Sequence, residues 1–156
     1  MTKYIIAFLI SMVPLIELRA GVPAAVAMGM NELVAIAVCA VGNMVPVPFI
    51  YFFARKFLLW GQDKKYIGKL CTFFVEKGEK AGQKLTSKTG RGGLFIALLL
   101  FVGIPLPGTG AWTGTLAASF LNMGFKSAVV SVMLGVLLAG IIMATISAGA
   151  FSIIGL

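Results

Sequence analysis

The chain has 156 residues, 60% of them hydrophobic and 12% charged, with a mean hydropathy of +1.03. Soluble domains carry about 25% charged residues, so this composition excludes an ordinary soluble globular domain. The net charge of +8 invites a nucleic-acid reading, but ten of the thirteen Lys and Arg residues lie between Arg55 and Arg91, in one polar stretch between apolar ones. That is the pattern of a cytoplasmic loop under the positive-inside rule, and with no zinc motif or aromatic-flanked basic groove no nucleic-acid partner is expected.

The first apolar stretch, Tyr4–Met30, imitates a signal peptide, with Lys3 before it and Ala25-Val26-Ala27 resembling a cleavage site. Pro14, Glu17 and Arg19 interrupt the run ahead of that site, so residues 1–30 are read as mature protein. Between Val13 and Pro23 the stretch holds two prolines, a glycine and two charges where a continuous span would cross mid-membrane. Proline removes a backbone donor and clashes with the preceding turn, and glycine permits a tight reversal. The piece before the break, Tyr4–Val13, would extend about 15 Å as helix, half of a hydrocarbon core about 30 Å thick.

The second stretch, Leu33–Trp60, reads as one continuous spanning helix kinked by Pro46 and Pro48, with Asn43 as a polar residue deep inside it. The loop that follows, Gly61–Gly92, carries eight basic and three acidic residues. Ile67, Leu70, Phe74, Ala81 and Leu85 recur there at roughly helical spacing. Two readings stay open: an amphipathic surface helix with lysines at anionic lipid headgroups, or a solvated linker.

The third stretch, Leu94–Leu121, is broken by Gly103-Ile-Pro-Leu-Pro-Gly-Thr-Gly110, which leaves Ala111–Leu121 as a second half-membrane helix. The fourth, Ser127–Leu156, is continuous. The order broken, continuous, loop, broken, continuous predicts an all-α integral membrane protein built as an inverted repeat. Each half would be a re-entrant hairpin plus one long transmembrane helix, within a single membrane domain over 1–156. The first repeat is 1–60, the basic cytoplasmic loop 61–92 and the second repeat 93–156. Four kinked full spans with both termini in the cytoplasm are the alternative.

Glu17 and Arg19 are the charges inside the first stretch, and a charge at mid-membrane costs about 2.5–3.5 kcal/mol on insertion scales. Such a residue is a functional candidate unless the two only satisfy each other and let the chain turn. In the second break Thr109 is a candidate helix N-cap, and Pro107, Gly108, Thr109 and Gly110 open a half-helix whose free N–H groups and dipole favour an anion. Pro23 is read as opening the other half-helix, where its missing donor costs nothing. A carboxylate, a phosphate or Glu17 itself fits that constellation. Trp112 is read as a ligand-stacking ring or an anchor of the arm, and Asn43 as lining the cavity or bonding across helices. Gly103 and Gly108 imitate a phosphate-binding loop, but the Lys and Ser/Thr that must follow are replaced by Thr109-Gly110. The ladders Gly110/Gly114/Ala118 and Gly140/Ala144/Ala148 read as packing surfaces. Histidine is absent, Cys39 and Cys71 have no spacing partners, and neither a metal nor another cofactor is expected.

Three motifs together resemble the small multidrug export protein family. They are Glu17-Leu-Arg-Ala-Gly-Val-Pro23, Gly42-Asn43 with Pro46 and Pro48, and Gly103-Ile-Pro-Leu-Pro-Gly-Thr-Gly-Ala-Trp-Thr-Gly114. The resemblance covers nearly the whole chain. A more distant similarity is to the DedA family, which implies paired re-entrant hairpins and movement of lipid phosphates. It also implies an acidic residue on the first hairpin, met by Glu17, and an arginine near the second proline-glycine motif, which this chain lacks. The expectation is a plasma-membrane, multi-pass, proton-coupled exporter of amphiphilic or anionic small molecules. Glu17 would be its proton-linked carboxylate, Arg19 its anion contact and Thr109 with the neighbouring amides its opposing wall. A lipid-phosphate translocase and a non-transporting scaffold are the rivals. An enzyme is not expected, because Ser119 and Thr109 have no candidate base. A homodimer is expected, since so few spans barely enclose a cavity.

Overall fold

The computed structural model describes residues 1–14, 16–64, 68–106 and 108–154, and among these it is all helical. Seven helices follow in order: α1 Thr2–Met12, α2 Glu17–Ala27, α3 Glu32–Met44, α4 Val47–Gln62, α5 Gly68–Gly103, α6 Ala111–Phe120 and α7 Phe125–Ile154. Two stretches are long and apolar enough to cross a membrane: Glu32–Gln62, which runs through α3 and α4, and Phe125–Gly149 of α7. The apolar pieces Thr2–Met12 and Gly90–Gly103 are shorter.

The helix ends follow from local chemistry. Pro14 disfavours helical backbone at the residue before it, and Val13 is extended (φ −73°, ψ 130°), which stops α1 at Met12. Pro105 ends α5 at Gly103 in the same way. Asn31 caps α3, its side chain accepting from the N–H of Leu33 at 3.0 Å, with Glu32 in the first turn where the helix dipole favours a negative charge. The expected kinked second helix runs through α3 and α4, with a turn at Val45 and Pro46 where Pro46 and Pro48 remove two N–H donors. The loop expected over 61–92 is largely helix: α5 starts at Gly68 and runs on into the third apolar stretch, broken at Gly90 (φ 69°, ψ 178°). Ile67 and the side chains of Leu70, Phe74, Ala81 and Leu85 lie outside the described residues, so the amphipathic pattern is not tested there.

α1 and α2 fold back on each other. Lys3, in the first turn of α1, donates to the carbonyl of Gly29 just past the end of α2, at 2.9 Å. The second pair is Gly90–Gly103 of α5 with α6, where a cavity of about 180 Å³ lies between Leu94, Leu98 and Phe101 on one arm and Ala117, Ala118 and Leu121 on the other.

The turns that follow α2 and α6 are built alike. Met30 N–H bonds the Ala25 carbonyl and Gly29 N–H the Val26 carbonyl; Met123 N–H bonds Ala118 and Asn122 N–H bonds Ser119 in the same pattern. Both are Schellman motifs with a left-handed residue after the helix, Gly29 (φ 70°) and Asn122 (φ 55°), and a buried methionine next. The match extends outward at constant spacing. Ala35 N–H bonds Asn31, as Ala128 N–H bonds Gly124. On the long helices Gly42 and Gly135 keep that spacing but their close contacts do not: a methyl added to Gly42 would lie 2.5 Å from the Phe8 carbonyl oxygen, and one added to Gly135 2.8 Å from that of Leu99, two residues out of step.

α2 lies on α7, α6 lies on α4, and α3 and the first arm of the second pair also meet α7. The core is a continuous cluster that includes Leu18, Val22, Cys39, Val47, Val102, Ala111, Val132 and Val136. Tyr51 joins α4 to the α6–α7 turn, its hydroxyl donating to the Met123 carbonyl and its ring edge-on to Phe125 at 5.3 Å.

Candidate functional site

The starts of α2 and α6 face each other across the two breaks. α6 has Gly110 at its N-cap position with no side chain of its own neighbourhood bonded there. Its first donors are met from far along the chain: the N–H of Ala111 donates to Glu17 Oε2 and that of Trp112 to Glu17 Oε1, both at 3.0 Å. One carboxylate thus fills the positive pole of a half-helix whose free N–H groups attract an anion.

Two backbone features make room for it. Gly110 has φ 149° and ψ −172°, a region open only to glycine, and a Cβ added there would fall on the Glu17 carboxyl group. Glu17 itself has φ 51°, a left-handed conformation that costs a non-glycine residue about 1–2 kcal/mol. The surrounding packing holds that strain, and Glu17 is only 3% exposed.

Arg19 does not pair with Glu17; among the described residues the ion pair is Lys80–Glu76 at 3.8 Å, on the exposed face of α5. Its guanidinium reaches the second break instead. Nη1 donates to the Leu106 carbonyl and Nη2 to Thr109 Oγ1 at 2.5 Å. Thr109 Oγ1 lies 2.9 Å from the carbonyls of both Ile104 and Leu106, so its proton goes back into the break. The same two carbonyls also accept backbone N–H groups, Ile104 from Leu106 at 2.8 Å and Leu106 from Thr109 at 3.1 Å, so the side chains add to the turn's own bonds. Two side chains of one hairpin tip therefore clasp the other, one by its charge and one by its fork.

The structure brings Glu17, Arg19, Thr109, Gly110 and Trp112 together. Gly108, in a left-handed conformation (φ 82°), lies exposed in the same break, and Pro107 lies outside the described residues. Three expectations need correction. Pro23 does not open the half-helix: α2 begins six residues earlier, at Glu17, and Pro23 sits inside it, where it leaves the Arg19 carbonyl without its helical donor. The break read over Val13 to Pro23 is shorter than expected, with Glu17 and Arg19 in the first turn of α2. Thr109 is not the N-cap of α6, because its hydroxyl is engaged in the break and Glu17 caps the helix. Asn43 is fully buried on α3, and neither end of its amide bonds across helices. The Trp112 indole nitrogen is buried without a partner.

Sequence reasoning missed the Leu106 carbonyl as an arginine acceptor. No local signal marks it, since that carbonyl also accepts from the Thr109 N–H within the break. Among the described residues no cluster of three acidic, histidine or cysteine side chains is arranged for a metal.

One family model matches residues 17–142 of the chain, and its description is "Putative small multi-drug export protein". No curated protein and no solved structure matches the chain.

Proposed function

This chain belongs to the small multi-drug export protein family and is a membrane protein, and from that premise we propose that it is a proton-coupled exporter of amphiphilic or anionic small molecules. The observation that carries the reading is the Glu17 carboxylate seated on the N-terminus of α6. In that place a carboxylate switches the site by changing protonation. Ionised, it fills the helix pole and ties the hairpin tips together. Neutral, it gives up its charge-assisted bonds and frees an anion-attracting pole with Arg19 beside it. Proton binding and anion binding then favour one another at one place.

The membrane arrangement belongs to the same proposal. Each fold-back pair is a re-entrant hairpin and each long helix a span, the two halves being inverted copies, with both termini outside and the basic helix of α5 at anionic headgroups on the cytoplasmic side of the plasma membrane. The matched turns after α2 and α6, the matched glycines Gly42 and Gly135, and the reciprocal packing of α2 on α7 and α6 on α4 support it. The clasped tips then lie near the midplane, and motion of one half against the other exposes them alternately. A homodimer completes the wall of the cavity.

Reconstitution tests the function. Purified protein in sealed vesicles should move an anionic amphiphile when a pH gradient is imposed, and Glu17→Gln should abolish the dependence on the gradient. Movement of lipid phosphate that ignores the gradient would replace the exporter by a lipid translocase. Inert vesicles under both conditions would leave the scaffold reading.

A further inference from the structure

Asn43 is the polar side chain that the clasp leaves aside. It has no exposure to solvent, and neither Oδ1 nor Nδ2 meets a hydrogen-bonding group of the protein. An amide buried without partners is costly, more so where lipid rather than water surrounds the helices. The residues next to it add to the unmet polarity. Pro46 and Pro48 have no N–H, so the carbonyls of Gly42 and Met44 lose the donors that a continuous helix supplies four residues on. Gly42 is buried too, with the Phe8 carbonyl closing over it. The amide of Asn43 and the proline-freed carbonyl of Gly42 thus lie together in the buried end of α3, the Met44 carbonyl being about 200° further round the helix.

We propose that the Asn43 amide, with the proline-freed carbonyl of Gly42 beside it, holds an internal water within the apolar interior of the protein. The chemistry selects the occupant. Both halves of the amide are open, so the group that fills the place must donate and accept at once. A bare cation satisfies Oδ1 and the Gly42 carbonyl and leaves Nδ2 unmet, and an apolar ligand satisfies none of them. A buried water makes about three hydrogen bonds, which matches the groups on offer.

Its place in the fold makes it a neighbour of the clasp. Gly140 of α7 lies against Leu18 at the start of α2. In the constant spacing that matches the two halves, Leu18 corresponds to Ala111 and Gly140 to Val47. The same contact carried to the other half sets Val47, 1% exposed, against the start of α6, and α4 does pack on α6. Asn43 is one helical turn before Val47. Val136, which corresponds to Asn43 on α7, is equally buried but apolar, so the hydrated point exists in one half only. The proposal stands on the amide and Pro46 and does not depend on the transport reading.

Radiolytic labelling tests it on the whole protein in nanodiscs, because a bound water converted to hydroxyl radical by X-rays modifies the side chains beside it. Met44 is half-buried and reacts to some extent by itself, so the readout is the difference between proteins: Asn43→Leu should lower Met44 oxidation several-fold and leave that of the equally half-buried Met143 unchanged. No oxidation of Met44 in the native protein, or equal oxidation with and without Asn43, overturns the proposal. Should Asn43→Leu fail to fold, a high-resolution experimental structure of the native protein decides. Density within hydrogen-bond distance of both Oδ1 and Nδ2 upholds the site, and an amide packed against hydrocarbon alone removes it.

Discussion

Replacing Glu17 by glutamine keeps the shape of the side chain and removes its charge and one acceptor. The native carboxylate takes both the Ala111 and Trp112 N–H groups at 3.0 Å, one on each oxygen. Glutamine keeps one oxygen for one of them and turns an NH₂ donor toward the other. A hydrogen bond to a charged group contributes about 1.5–3 kcal/mol, and the charge at a helix N-terminus about 0.3–1 kcal/mol more. The loss should therefore be about 2–4 kcal/mol, out of a total stability of about 5–15 kcal/mol for a typical domain. The variant should fold and insert, but with weaker attachment between the hairpin tips. Equilibrium unfolding in mixed micelles, followed through the tryptophans, reads the difference; Trp112 reports on the start of α6 itself. A Glu17→Gln protein within about 0.5 kcal/mol of the native one, a shift ordinary for a surface substitution, would show that the carboxylate does not hold α6.

Gly110→Ala places a methyl on the Glu17 carboxyl group in a backbone region that L-residues avoid, and should cost about 3 kcal/mol or more, read as loss of the monodisperse peak on size exclusion. Arg19→Lys offers one point charge where a planar fork spans the Leu106 carbonyl and Thr109 Oγ1, so it should fold while transport in vesicles falls to background; full activity would reduce Arg19 to charge balance. Tyr51→Phe removes the bond to the Met123 carbonyl and keeps the ring against Phe125, for a loss of about 1 kcal/mol in the same unfolding assay. Single cysteines at Thr2 and Ser152, in a background without Cys39 and Cys71, should react with an impermeant reagent on intact cells; protection of both would favour four full spans over re-entrant hairpins.

Much of the chain was legible before any contact was known, because the signals are local. Prolines decide helix ends through a missing N–H and a clash with the residue before them, so the breaks around Pro14 and between Gly103 and Gly110 follow from the sequence. The half-membrane helix expected over Ala111–Leu121 is α6, Ala111–Phe120. The composition likewise carries the membrane assignment that the family match and the two long apolar helices support. Pro23 shows where local rules stop. A proline at a half-helix start costs nothing, yet α2 carries it inside, because the packing of α2 against α1, α3 and α7 holds the helix together around it.

The site divides in the same way. Sequence alone singled out Glu17 and Arg19, because charges in an apolar stretch need a reason, and it placed a donor-rich helix start after Gly110. It offered Glu17 itself as one occupant of that start beside an external carboxylate or phosphate, and could not choose among them. Thr109 is the nearest side chain suited to cap α6, but the cap comes from Glu17, 94 residues away in the chain from the N–H it accepts from Ala111. Arg19 reaches 90 residues to Thr109 rather than two to Glu17. Local propensity ranks partners by distance along the chain, whereas burial forces each charge to find whichever complementary group the packed helices set in front of it. That choice belongs to the tertiary structure, which set the starts of α2 and α6 face to face.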